Sequence, residues 1–178
     1  MKSLVLCACV LIIAFQSSSS SELKNRLKSA IESNIANYAE ACLTENDMTG
    51  VDRYTEEDIM TNLHAKPENA ERTRKNGCMI LCVLKKQNLM EGTNIKEAQV
   101  HAKINETLND PSDHGPVRAE AHRIARKCIK KVESIAQECE KSFSWYVCVV
   151  EAIDKLGQHD EHELDLDAED EALTEQAE

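Results

Sequence analysis

The chain has 178 residues and a formal net charge of −11, which is enough sequence for one domain or a little more. The acidic excess lies in residues 158–178, which contain ten Asp or Glu and no Lys or Arg, while the rest of the chain is close to neutral. The body is near neutral, and the full chain has only 3% aromatic residues. Such a body lacks the surplus of cations that nucleic acids and anionic membranes require. We therefore expect no nucleic-acid partner and no membrane insertion.

The first 21 residues have the pattern of a secretory signal peptide. Lys2 precedes an apolar run from Leu4 to Phe15, and a run of serines follows up to Ser21. The apolar run is too short to span a bilayer. The sequence therefore predicts an exported, extracellular protein in three parts: a signal peptide over 1–21, a helical domain over 22–157 and a disordered acidic tail over 158–178.

Apolar residues recur at helical spacing along the first half of the body. This periodicity predicts a helix over 22–42. A capping box of Thr55 and Asp58 predicts a short second helix before Pro67. Residues 70–88 form the next helical window. Asn76-Gly77 is a turn signal inside it, so the helix is either broken there or begins there, and we expect a start near Asn76.

Three further helices are predicted in the second half of the body. Asn94 and Glu97 form a capping pair for a fourth helix that stops near residue 111. Pro116 suits the first turn of a fifth helix, which we expect to reach residue 135. The last helix, over 142–156, is apolar on nearly every side and ends before Gly157, which indicates a buried position. No segment alternates like a strand, so the predicted fold class is all-α, with about six helices.

Six cysteines follow the signal segment, an even number that predicts three disulfides in an exported chain. Cys78 and Cys82 lie one helical turn apart, where Cβ atoms are about 5 to 6 Å from each other, whereas a disulfide needs roughly 3.8 Å. The two must therefore bond to different partners, and several pairings stay open. Structural zinc is the alternative, but a second matching pair of ligands is missing, so no metal and no cofactor are expected. The six are Cys42, Cys78, Cys82, Cys128, Cys139 and Cys148.

The spacing Cys42-x35-Cys78-x3-Cys82-x45-Cys128-x10-Cys139-x8-Cys148 resembles that of the six-cysteine insect pheromone- and general-odorant-binding proteins. The string from Lys75 to Cys82 is also similar to the matching segment of ant members. The resemblance implies a compact helical bundle around an apolar cavity, which carries odorants, pheromones or other lipophiles through aqueous fluid. It also implies the interlocked disulfides Cys42–Cys82, Cys78–Cys139 and Cys128–Cys148.

If the family's cavity is present, apolar side chains of several helices should line it. Each such position is also an ordinary core position. Tyr146 differs because its buried hydroxyl needs a partner and can orient a polar group of a ligand. The predicted lining residues are Leu63, Leu84, Met90, Ile104, Leu108, Ile124, Phe143, Tyr146, Val147 and Val150.

The remaining candidate sites are a cluster of five cations between residues 123 and 131, on the predicted fifth helix, and a glycosylation sequon. The cluster is expected to be a solvated face, or to dock the acidic tail, an anionic ligand or a chemosensory receptor. His159 and His162 would then make tail docking dependent on pH. Asn105 begins a glycosylation sequon. The cluster consists of Arg123, Arg126, Lys127, Lys130 and Lys131.

Two other functional classes are the alternatives to a carrier. An enzyme of the phospholipase type needs a His-Asp pair beside the cysteine helix, and residues 75–88 contain neither. No other catalytic motif occurs, so we expect no enzyme activity. A disulfide-braced interaction or signalling protein without a small ligand remains as the alternative. The protein is expected to be a monomer or a homodimer.

Overall fold

The bundle consists of α-helices joined by short connections. The computed structural model describes residues 2–109 and 115–156, with side chains from residue 21 onward. Its helices are α1 (Lys2–Glu45), α2 (Glu56–Met60), α3 (Ala70–Lys86), α4 (Glu97–Thr107), α5 (Pro116–Lys131) and α6 (Glu138–Asp154). Three single turns of 3₁₀ helix, Gly50–Asp52, Leu63–Ala65 and Pro67–Asn69, lie between α1 and α3. The predicted all-α class is confirmed, whereas the boundaries of several helices differ from prediction. The predicted stops at Pro111 and Gly157 and the whole acidic tail lie outside the described residues.

Helix α1 is longer than the sequence predicts. It runs without a break from Lys2 to Glu45, through the segment interpreted as a signal peptide. The first 45 residues contain no Gly or Pro, so nothing in this stretch interrupts backbone hydrogen bonding. The cleavage of residues 1–21 stays a prediction.

The predicted capping box starts α2. The Thr55 hydroxyl accepts a hydrogen bond from the Asp58 backbone N–H at 3.1 Å, and the Asp58 carboxylate accepts one from the Thr55 backbone N–H at 3.0 Å. The second of these bonds lowers the pKa of Asp58. Two of the free donors at the helix start are thereby satisfied by neighbouring residues.

Helix α3 begins at Ala70, so the prediction of a start near Asn76 was wrong. Asn76 and Gly77 are buried inside the helix. The Asn76 side chain accepts from the Tyr54 backbone N–H at 3.1 Å and donates to the Asp52 carbonyl at 2.9 Å. Gly77 lies directly against the Cys139 backbone of α6. The pair therefore marks a point of close packing between segments and not a turn.

The segment between α3 and α4 forms a small hairpin that the sequence analysis missed. Strand β1 (Met90–Glu91) pairs with strand β2 (Asn94–Ile95) in antiparallel register. Asn94 is thus part of a strand, and Lys96 holds the N-cap position of α4 without a side-chain cap bond. The predicted capping pair of Asn94 and Glu97 was wrong because the ladder already determines the conformation of Asn94.

The last two helices also have shifted ends. Helix α5 stops at Lys131 because the following backbone bonds, from Val132 to Ile129 and from Ile135 to Val132, are those of tight turns. Helix α6 begins at Glu138, four residues before the predicted start. Its first turn contains Lys141, whose ammonium group is buried but donates to the Thr93 and Glu133 carbonyls at 3.0 and 2.8 Å. The start was predicted too late because the apolar pattern of the helix does not include this polar first turn.

Three disulfides connect the helices. They join Cys42 to Cys82, Cys78 to Cys139, and Cys128 to Cys148, which are the pairs that the resemblance implies. Helix α3 is bonded through one cysteine to α1 and through the other to α6. Because all six sulfurs are bonded in pairs, the zinc alternative is contradicted.

Helix α3 is the centre of the bundle. It packs most extensively on α6 and next on α1, while α4 and α5 pack against each other. Met79, Val83 and Leu84 of α3 are almost fully buried in the largest apolar cluster. Among the helices whose residues are described, none combines the length and the apolar character needed to span a bilayer.

Candidate ligand-binding cavity

An apolar, partly open cavity lies between α1, α3, α4, α5 and α6. Its volume is about 160 Å³, close to that of a cavity of roughly 150 Å³ known to hold benzene. Its wall is almost entirely hydrocarbon. The lining residues are Leu27, Ala30, Ile31, Asn34, Ile35, Ile80, Val83, Leu84, Gln87, Leu89, Val100, Lys103, Ile104, Thr107, Leu108, Ala121, Ile124, Ala125, Trp145, Tyr146, Val149 and Ile153.

The α1 wall follows from simple helical periodicity. Leu27, Ile31 and Ile35 recur every four residues and therefore lie on one face of the helix. All three line the cavity. The amphipathic pattern of α1 is visible in the sequence, but none of its residues was among the predicted lining residues, because an apolar stripe is equally typical of a solid core.

Helix α6 has apolar residues on two adjacent faces. One face, with Trp145, Val149 and Ile153, lines the cavity. The neighbouring face, with Phe143 and Val147, packs with Tyr54, Ile59 and Leu63 in a separate cluster beside α2. A helix that is apolar on nearly every side carries no signal that distinguishes these two faces, so Trp145, Val149 and Ile153 were missed.

The predicted lining residues divide between the cavity and other parts of the core. Leu84, Ile104, Leu108, Ile124 and Tyr146 line the cavity together. The remaining five lie elsewhere: Leu63, Phe143 and Val147 in the cluster beside α2, Met90 in the main core, and Val150 in the wall of an outer pocket.

The outer pocket lies on the other side of Tyr146 and is polar at its rim. Its volume is about 540 Å³, and Lys28, Glu32, Arg53 and Glu56 contribute to its lining. Lys28 forms an ion pair with Glu56, and the hydrogen bond that its ammonium group donates to this carboxylate raises the Lys28 pKa. Burial raises the pKa of Tyr146, so its hydroxyl stays protonated at neutral pH in the wall that the two pockets share.

A pair of histidines connects α4 to α5 beside the cavity. The imidazole rings of His101 and His122 lie with their centroids 4.6 Å apart, and the Nδ1 atoms face each other. Burial lowers the pKa of His122, and His101, Arg126 and Arg118 lower it further through charge repulsion. Protonation of both rings would bring two N–H donors into opposition, so at least one ring must be neutral for this contact to persist.

The other predicted sites are on the surface. Asn105 is exposed on α4, and its Oδ1 atom accepts a hydrogen bond from His122 Nε2 at 3.0 Å. In the cationic cluster, Arg123 pairs with Glu120 at 2.6 Å and Lys131 with Glu151 at 3.8 Å. Glycosylation of Asn105 and docking on the cluster stay predictions, and His159 and His162 lie outside the part of the chain that the structure describes.

Among the residues that the structure describes, one group of potential metal ligands lies close together, but it is no metal site. Cys42, Cys82 and Glu45 have ligand atoms within 4.8 Å of one another. The two sulfurs are bonded to each other and offer no thiolate to a cation. This proximity is a consequence of the disulfide.

In the part of the chain that the structure describes, six helices, three interlocked disulfides and an apolar cavity together define a class of ligand-binding proteins. The chain belongs to the PBP/GOBP family, whose sequence profile matches residues 24–152. A pheromone-binding protein Gp-9 of Solenopsis globularia littoralis is 33% identical over 146 residues, which cover 82% of this chain and 86% of that protein. Proteins of the same name from Solenopsis nigella gensterblumi and Solenopsis interrupta are each 30% identical, over 85% and 79% of this chain and 93% and 85% of their own lengths. No solved structure gives a significant match.

Proposed function

We propose that the protein is a secreted, non-catalytic carrier that binds small hydrophobic molecules in its internal cavity and transports them through aqueous fluid. The cavity between α1, α3, α4, α5 and α6 carries this proposal. Burial of a hydrocarbon surface in an apolar cavity is favourable without any polar contact. The signal-like segment 1–21 supports export, and the names of the Solenopsis relatives support a pheromone or similar lipophile as cargo.

The size of the cavity sets the affinity that we expect. A molecule of about eight heavy atoms, bound with roughly 0.5 to 0.7 kcal/mol per atom, has a dissociation constant of about 0.1 to 1 mM. Longer molecules would also need the outer pocket, which shares Ile31, Ile35, Tyr146 and Ile153 with the cavity. Weak binding is compatible with a carrier, because cargo that is picked up must also be released.

The chain contains its own reporter for this proposal. Trp145 is the only tryptophan and lies in the cavity wall. Titration with ethylbenzene should therefore change the tryptophan emission in a saturable manner, and a second apolar ligand added in excess should compete. If emission and calorimetry detect no saturable binding of any apolar probe, the carrier proposal is wrong and the interaction protein without a ligand is favoured.

A further inference from the structure

Asn105 is an exposed side chain for which the carrier function has no use. It begins the sequence Asn105-Glu106-Thr107, the motif at which exported proteins receive a glycan on asparagine. Every other asparagine of the chain lacks a serine or threonine two residues later. The motif therefore singles out one acceptor.

The structure places this motif in the last turn of α4. The helix ends at Thr107, and all three residues of the motif are exposed. Helix ends open more easily than helix centres, because their last carbonyl groups have no partners within the helix. A transferase can therefore reach the segment at a small cost in local unfolding, even after the bundle has formed.

The surroundings of Asn105 on α4 leave room for a bulky group. Ala102 and Ala98 lie one and two turns earlier on the same side of the helix, and both are small and exposed. The cavity wall includes Ile104 and Thr107 but not Asn105. A group attached to Asn105 would consequently extend into solvent and leave the cavity unoccupied.

The amide of Asn105 uses its oxygen, and not its nitrogen, for the contact with α5. Oδ1 accepts from His122 Nε2 at 3.0 Å, and Nδ2 makes no hydrogen bond to any residue that the structure describes. A glycan is attached to Nδ2, which keeps one N–H afterwards, and Oδ1 remains an acceptor. The contact between α4 and α5 is thus compatible with the modified side chain.

We propose that Asn105 carries an N-linked glycan, which is attached during export. This rests on the secretion that is part of the function proposed above. In the transfer, Nδ2 forms a bond to the anomeric carbon of an oligosaccharide carried on a lipid diphosphate, and Nδ2 loses one proton. The bond from that carbon to the diphosphate oxygen breaks, and the lipid diphosphate leaves. The glycan is bulky and hydrophilic and keeps this face of α4 in solvent.

The test is to express the full-length chain in insect cells and to measure the intact mass of the protein in the medium before and after digestion with peptide-N-glycosidase A. Asn105→Gln removes the acceptor. Thr107→Val removes the hydroxyl that the motif requires but preserves the shape of the side chain. Thr107→Ser, the matched control, retains the hydroxyl.

We expect digestion to lower the mass of the wild type and of Thr107→Ser by that of one N-linked glycan, and to leave Asn105→Gln and Thr107→Val unchanged. If the wild type reaches the medium with the mass of the bare polypeptide, the glycan proposal is wrong and secretion stands. If Asn105→Gln also loses a glycan, the assignment to Asn105 is wrong. A wild-type chain that stays in the cells with residues 1–21 attached would contradict both proposals.

Discussion

Gly77 determines how closely α3 and α6 approach each other. A Cβ atom at this position would overlap the Cys139 carbonyl oxygen, and it would lie 2.9 Å from the carbonyl carbon and 3.3 Å from Phe143 Cβ. Backbone atoms of a packed helix cannot move aside as a flexible side chain can. The adjacent Cys78–Cys139 disulfide, with its Cα atoms 4.4 Å apart, depends on the same short distance.

We expect Gly77→Ala to destabilise the protein by about 3 kcal/mol or more, because overpacking against backbone forces the two helices apart. The matched control is Gly50→Ala, since a Cβ there meets no atom within 4 Å. Thermal unfolding followed by circular dichroism measures both. A Gly77→Ala variant with the Tm of wild type would show that α3 and α6 do not pack as closely as described.

The prediction of a helix start at this glycine was wrong for a physical reason. The pair Asn76-Gly77 is a frequent turn signal, but its local preference was overridden by tertiary contacts: the Asn76 side chain binds two backbone groups of the 52–54 segment, and Gly77 makes room for α6. The cysteines behaved differently. The spacing of the cysteines carries the family resemblance, and that resemblance implied the same three pairs that the structure contains. A disulfide joins two specific residues, so local backbone preferences do not override it.

Between elements, the contact of α4 with α5 is sensitive to pH through His122. The folded state lowers the pKa of His122, whereas the unfolded chain has the ordinary value of about 6.5. Below that pH the unfolded state binds more protons than the folded state, so stability falls as the pH decreases. The groups that face this imidazole are His101, Asn105, Arg118 and Arg126.

We therefore expect His122→Gln to remove part of the stability loss that the wild type shows between about pH 7 and pH 5.5. Urea unfolding of both proteins across this range is the measurement. Curves that stay parallel throughout would mean that His122 titrates alike in the folded and unfolded states.

The disulfides differ in how much of the chain each one closes. Cys128–Cys148 closes a loop of 20 residues between α5 and α6, and Cys78–Cys139 closes one of 61 residues between α3 and α6. In the loop-entropy account, these restrict the unfolded chain by about 3 and about 4 kcal/mol.

Replacing both cysteines of a pair by serine should consequently cost more stability for Cys78 and Cys139 than for Cys128 and Cys148, by about 1 kcal/mol. Denaturant unfolding under oxidising conditions gives both values. The reverse order would indicate that native packing around the bridges, and not loop closure, dominates their contribution.

For the whole molecule, the cavity and the disulfides are connected energetically. An internal void costs the contacts that its wall atoms do not make, and the three bridges stabilise the bundle sufficiently to tolerate that cost. Periodicity predicted the apolar stripes of α1 and α5 but could not show that these stripes are separated by a cavity. Whether facing apolar stripes meet or leave a void depends on side-chain volumes and helix distances, which the pattern of residue types does not encode.

The central claim is that this space holds the cargo, and filling it is the most direct test. Ala121 of α5 lies in the cavity wall, whereas Ala102 of α4 is exposed and lies outside it. Ethylbenzene affinity is measured by calorimetry for Ala121→Leu and for its control Ala102→Leu. We predict a loss of at least about tenfold, or about 1.4 kcal/mol, for Ala121→Leu without loss of Tm, and wild-type affinity for Ala102→Leu. A folded Ala121→Leu protein that binds ethylbenzene as tightly as wild type would contradict the account.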